Sequence, residues 1–142
     1  MIIAKRYHGR WNQRINPEVF VEEHAVEDGT DLRFGAIEWH VSQRPLDINA
    51  GRSLEVGSFI RPPHGIASAF QWGYRGMGPQ QLAFSILYDT FGDQGFAFKN
   101  IQTFVDKMIA TFPQGSRWEI YQGANSLSSG SISLTKIGDR LV

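Results

Sequence analysis

The stretch Phe70-Gln71-Trp72-Gly73-Tyr74-Arg75-Gly76-Met77-Gly78-Pro79-Gln80-Gln81-Leu82-Ala83-Phe84 constrains this chain more than any other. Three glycines loosen the backbone, and the chain then runs directly into a helix-start signal. Pro79 suits the first helical position, where a missing N–H costs nothing. Leu82, Ala83, Ile86, Leu87, Thr90 and Phe91 follow helical spacing, and Gly92 supplies the stop. The pattern predicts a helix over 79–91. A second is predicted over 96–111, where Phe98, Ile101, Phe104, Val105, Met108, Ile109 and Phe112 form a broad apolar stripe ended by Pro113 and Gly115.

Strand patterning flanks this helical centre. Ile2 to Tyr7 reads as a first strand ended near Gly9, and Val19 to Val21 as a short second one. Asp28-Gly29 signals a turn. Ile37, Trp39 and Val41 alternate with Glu38 and His40, the period of a half-buried strand. Arg44-Pro45 and Asn49-Ala50-Gly51 punctuate the next turn, and Leu54 to Val56 reads as a further strand. Pro62-Pro63-His64-Gly65 reads as a loop, because two prolines remove two backbone donors. Beyond the helices, Arg117 to Tyr121 and Ser131 to Ile137 alternate like strands, with Gly123 to Gly130 as a loop between them. The fold class expected is α+β: one domain over residues 1–142, a mostly antiparallel sheet with two helices packed on one face.

Composition narrows the function classes. The formal charge is zero at neutral pH, so nothing pulls the whole chain toward nucleic acid or a membrane. Ten arginines stand against four lysines, and eight of the arginines precede residue 76. Arginine offers a planar fork for phosphates, carboxylates and ring faces that lysine lacks. Without cysteine there is no disulfide and no thiolate metal site, which fits a reducing compartment. No apolar run approaches the roughly 20 residues that span a bilayer, and the N-terminus lacks a signal-peptide pattern. A soluble, cytoplasmic protein is expected.

The glycine-rich stretch is not a phosphate-binding P-loop, because Gly73 and Gly78 are followed by Pro79 and Gln80 rather than Lys and Ser or Thr. Nor has it the glycine spacing of a dinucleotide fingerprint. Free N–H groups at Gln80 and Gln81, the helix dipole and Arg75 would favour an anion. Trp72 and Tyr74 offer rings for stacking. The competing reading is structural: the glycines allow a tight crossing while Phe70, Trp72 and Tyr74 plug the core.

The remaining chemistry is sparse. His8, His24, His40 and His64 show no metal-ligand spacing, and no metal or cofactor is implied. His64, after two prolines, would line a cleft near Arg61. No nucleophile elbow occurs among the late serines, and Ser128-Ser129-Gly130 reads as a mobile loop. The acidic run Glu22 to Asp31 lacks the ligand order of a calcium loop and reads as a solvated face. Lys5-Arg6-Tyr7-His8-Gly9-Arg10-Trp11 with Arg14 interleaves basic and aromatic residues, as a single-strand nucleic-acid surface requires. The neutral overall charge and the lack of a known module weigh against that reading.

Taken together, the pattern aromatic-x-Trp72-Gly73-Tyr74-x-Gly76-x-Gly78-Pro79-x-Gln81-Leu82-Ala83 resembles the signature of a small domain of bacteria and their phages, a domain of unknown function. Ile86, Leu87, Asp89 and Gly92 continue the resemblance, Phe104 to Phe112 and Trp118 resemble its second helix and closing tryptophan, and Tyr7-His8-Gly9-Arg10 its opening element. The resemblance covers 70–118 well and the N-terminus loosely. Residues 17–47 are longer than that pattern, and the tail after Tyr121 lies outside it. The family supplies no catalytic residues to carry over.

The resemblance implies a non-enzymatic accessory protein, an inhibitor of host defence that binds a host protein or captures a small nucleotide. Trp72, Tyr74, Arg75, Arg61 and His64 would form its binding site, and a homodimer would cover exposed aromatic residues. A phosphodiesterase or nuclease is the rival, and would need His64, His8 or His40 to meet Asp89 or Glu38. A purely structural interaction domain is the third reading.

Overall fold

Two long strands, β1 (Ile2–Asn12) and β2 (Asn16–Val26), pair antiparallel along their whole length, from Ile2 opposite Val26 to Asn12 opposite Asn16. The computed structural model of the protein describes residues 2–12, 16–26, 52–53, 70–123, 125–130 and 132–142. β3 (Arg52–Ser53) follows, then helices α1 (Met77–Phe91), α2 (Gln94–Lys99) and α3 (Ile101–Lys107). A 3-10 turn (Ile109–Thr111) leads to β4 (Trp118–Gln122), β5 (Ser126–Ser129), β6 (Ile132–Ile137) and β7 (Arg140–Leu141). The strand order is β3-β2-β1-β4-β5-β6-β7, and every pairing is antiparallel. The α+β expectation holds. The strands expected at 34–41 and 54–56, the turns at 28–29 and 44–51 and the loop at 62–65 lie outside the described residues.

Directly opposed residues of antiparallel strands share a face. Tyr7 therefore stands beside Val21 and Ile120, and Gly9 beside Val19 and Trp118. All these side chains are buried, and this face meets the helices. Gly9 does not end the first strand, as its sequence signal suggested. It sits mid-strand because the Trp118 indole lies over it: a Cβ there would come within 2.2 Å of Trp118 Nε1. Trp118 in turn stacks on Phe112 at 4.8 Å and meets Trp72 edge-on at 5.7 Å.

Helix α1 starts two residues before the predicted Pro79 and ends at Gly92, whose N–H donates to Tyr88 O at 2.8 Å. The run Gln81 to Leu87 is buried without interruption. A helix buried on every side is a core element rather than an amphipathic cover. Each fully buried Leu, Ile or Phe contributes roughly 1.5–3 kcal/mol of transfer free energy. Leu82, Phe84, Ile86 and Leu87 thus outweigh the ~1 kcal/mol that Gly78 costs a helix. Polar groups tie the C-terminal end of α1 to β1. Tyr7 donates to Asp89 Oδ2 at 2.8 Å and shares a 2.7 Å hydrogen bond with Thr90 Oγ1. Lys5 Nζ donates to the Asp89 carbonyl at 3.0 Å and pairs with its carboxylate at 3.2 Å.

Two predicted elements differ. The single helix over 96–111 is broken at Asn100 and Met108 into α2, α3 and the 3-10 turn. Asn100 is buried and serves other backbone: its amide donates to Phe96 O at 2.9 Å and Asp139 O at 3.0 Å, while Oδ1 accepts from Leu141 N–H at 3.0 Å. That latch fastens the β6–β7 hairpin to the helices. The loop expected over 123–130 contains β5, with Leu127 fully buried and Ser128 buried beside Ser133. Ser128 and Ser129 are therefore strand residues, and the turn begins at Gly130. The Ser-rich composition concealed a strand whose backbone pairs on both sides.

Candidate anion-binding cleft on the sheet

The face of β1 opposite the helices carries the alternate residues Arg6, His8 and Arg10. His8 lies opposite Phe20 of β2 and Glu119 of β4, and Arg6 opposite Tyr121. Arg6, His8, Gly9, Arg10, Arg117, Trp118 and Glu119 line a cleft of ≈ 220 Å³. The lining joins three arginines and Glu119, and on β2 the register sets Glu22 opposite Arg6 and Glu18 opposite Arg10. Beside it the His8 and Phe20 rings stack at 5.4 Å, and the Arg10 guanidinium lies 5.0 Å over the Phe20 ring. Arg10 and Arg117 are exposed.

Glu119 is held at both oxygens. Arg6 Nη2 donates to Oε1, and Tyr121 donates to Oε2 at 2.5 Å. Burial raises the Glu119 pKa, but the bonds from Tyr121 and Arg6 outweigh it and leave the carboxyl below its usual range. Burial and the hydrogen bond to Glu119 push the Tyr121 hydroxyl up to about 12. Both groups keep their neutral-pH forms: an ionised carboxylate and a protonated phenol.

The signature segment is arranged differently. Trp72 is completely buried, and its indole N–H donates to Ser116 O at 2.9 Å. Phe70 is also buried, whereas Tyr74 is exposed. Arg75 is exposed and pairs with Asp106 at 2.7 Å, holding that carboxyl below its usual range. Gly73 takes a φ of +86°, and a Cβ there would meet the Gln114 backbone at 2.7 Å. The signature thus makes the tight crossing. Because α1 begins at Met77, the Gln80 N–H already donates to Gly76 O at 3.0 Å and is not available to an anion. Trp72 and Arg75 are therefore not brought together on one surface. Arg61 and His64 lie outside the described residues.

The enzyme constellation is only partly visible. His8 faces away from the helices, while Asp89 is bound to Lys5 and Tyr7 on the helix side, so the two do not meet. His40, His64 and Glu38 lie outside the described residues. Among the described residues no three His, Asp or Glu side chains gather as a metal donor set. A larger cleft of ≈ 420 Å³ runs along α3 and β7, lined by Lys99, Lys107, Arg140 and Asp106 among others. It has no aromatic lining, and Asp106 is already held by Arg75 and Gln102.

Sequence reading found Arg6, His8 and Arg10, but grouped them with Lys5 and Tyr7, which bond Asp89 on the opposite face. It missed Phe20, Arg117, Glu119 and Tyr121. Period-two alternation in residues 5–10 and 117–121 is the signal that separates these faces.

A family model described as a family of unknown function (DUF6166) matches residues 51–126, more than half of the 142-residue chain. It takes in the signature, the helices and β4, and leaves out β1 and β2. No curated protein and no solved structure matches the chain.

Proposed function

The chain belongs to that family of unknown function, DUF6166, and from this premise we propose that it is a binding protein that captures a nucleotide in the cleft between β1 and β4. One observation carries the reading: Arg6, Arg10 and Arg117 line a single cleft beside the His8–Phe20 stack. Arginine forks suit phosphate oxygens. A guanidinium plane and flat rings suit a base. The cleft's volume is below the ~300 Å³ at which pockets enclose whole small molecules. It fits a phosphate and part of a sugar, with the base lying outside on the Arg10 side.

Binding without turnover is the simpler role, since Glu119 is committed to Arg6 and Tyr121. Capture alone would inhibit any pathway that the nucleotide serves, host defence included, and such ligands are cytoplasmic. No helix among the described residues is long and apolar enough to cross a membrane. Contact with a protein partner or second copy is a further reading, favoured by the exposure of Phe98, Tyr88 and Tyr74. Sedimentation velocity across a concentration series tests it.

The direct test is calorimetric titration with AMP, ADP, ATP and cyclic dinucleotides at low salt. Binding is expected, with affinity falling at least about tenfold in Arg117→Glu, since one lost charge-assisted contact is worth about 1.5–3 kcal/mol. Absence of heat with every nucleotide sinks the proposal. Tighter binding of a single-stranded oligonucleotide than of any mononucleotide would reassign the face to nucleic acid.

A further inference from the structure

The cleft of ≈ 420 Å³ along α3 and β7 shares no lining residue with the β1–β4 cleft. Asn100 and Leu141 are its buried lining. The Asn100 side chain bonds the main chain on both sides of Arg140, donating to Asp139 O and accepting from Leu141 N–H. That latch holds Arg140 beside the helix. On α3, Thr103 and Lys107 stand one turn apart and line the same cleft. The carboxylates nearby are already matched: Asp139 pairs with Lys99, and Asp106 with Arg75. Arg140 acts on Asp139 only through space. The Val142 main-chain oxygen accepts from the Thr135 N–H at 2.7 Å. Among the described residues, neither Lys107 nor Arg140 makes a side-chain hydrogen bond or ion pair. Counting side chains, two cations in one cleft are left without a counter-ion.

We propose that this cleft is a second anion site, which takes the phosphomonoester of a non-aromatic polyol, as in a sugar phosphate. Lys107 and Arg140 bind the phosphate, whose charge of close to minus two at neutral pH matches theirs. Asp106 accepts from Arg75 and Gln102 at Oδ1 alone, which leaves Oδ2 to accept from a ligand hydroxyl. Thr103 adds a hydroxyl that has no other partner among the described residues. No ring lines the cleft to stack on a base, so hydrogen bonds set its selectivity. Its volume lies above the ~300 Å³ at which small-molecule pockets begin. None of this depends on the nucleotide reading of the β1–β4 cleft.

The probe is glucose-6-phosphate, titrated into isotope-labelled protein at low salt and followed by amide chemical shifts. Saturable shifts are expected at Thr103, Lys107, Arg140 and Leu141. Glucose should cause none, and inorganic phosphate should act at the same residues with lower affinity. Lys107 and Arg140 are exposed, so Lys107→Gln and Arg140→Gln should stay folded. Each should weaken glucose-6-phosphate by about tenfold, the order of one charge-assisted contact. Asp106→Ala should weaken glucose-6-phosphate and spare inorganic phosphate, which separates polyol from phosphate recognition. No saturable shift along α3 and β7, or affinity unmoved by both Gln variants, overturns the site and leaves the β1–β4 cleft standing. Equal affinity for inorganic phosphate, or for AMP at these residues, overturns the polyol class. Failure of nucleotides at the β1–β4 cleft, with glucose-6-phosphate still bound here, sinks only the earlier reading.

Discussion

The signature segment and the open face of β1 carry similar chemistry and use it in opposite ways. Both combine aromatics, arginine and glycine. In the signature, Trp72 is buried against Trp118 and Gly73 lets the chain cross Gln114. On β1, Gly9 makes room for Trp118 on one side, while Arg6, His8 and Arg10 line a cleft on the other. A dense, distinctive motif marks the part of the chain that the fold cannot vary. The open face of β1 instead carries polar side chains along a cleft. Two strands, one outside the family match and one inside it, together supply that face.

This contrast can be broken by substitution. Trp72→Ala should have the largest effect, a loss of about 3–5 kcal/mol by urea denaturation, because a fully buried indole and its bond to Ser116 both go. Nucleotide affinity of the protein that stays folded should not change. A Trp72 variant with intact stability and lost affinity would return the binding role to the signature. Gly9→Ala comes next, at about 1–3 kcal/mol, since its methyl must displace the Trp118 indole. A lower melting temperature is the readout, and an unchanged one would contradict the close packing of those two residues. Arg75→Ala should have the smallest effect. The pair lies at the surface, with Asp106 partly exposed, so neither melting temperature nor nucleotide binding should move. A loss of binding there would shift the site toward the signature and the α3 cleft.

Much of the architecture could be read along the chain. The α1 pattern was legible because Leu82, Ala83, Ile86 and Leu87 share helical spacing and Gly92 stops it. Helix breaks at Asn100 and Met108 were not. Asn100 is a tolerable helix residue locally, and its reason for breaking the run is a hydrogen bond to β7, some 41 residues away in sequence. β5 was hidden because serine and glycine have weak strand preferences, and partners on both sides override them. Candidate site residues were half legible. Arg6, His8 and Arg10 stood out locally, whereas Arg117 and Glu119 gained meaning only from register.

By itself the sequence determined the family, the α+β class and the central apolar helix, and offered the crossing at Gly73 as one of two readings. These follow from local periodicity and from backbone conformations few residues can adopt. Tertiary structure alone decided which aromatic residues are core and which arginines share a cleft. Strand register sets both: sliding β1 by one residue against β4 would bury Arg6 and His8 and expose Tyr7. Period-two alternation separates the two faces of each strand, but it does not say which residues of β4 stand opposite β1. That choice is fixed where the Trp118 indole finds Gly9 and Tyr7 finds Asp89.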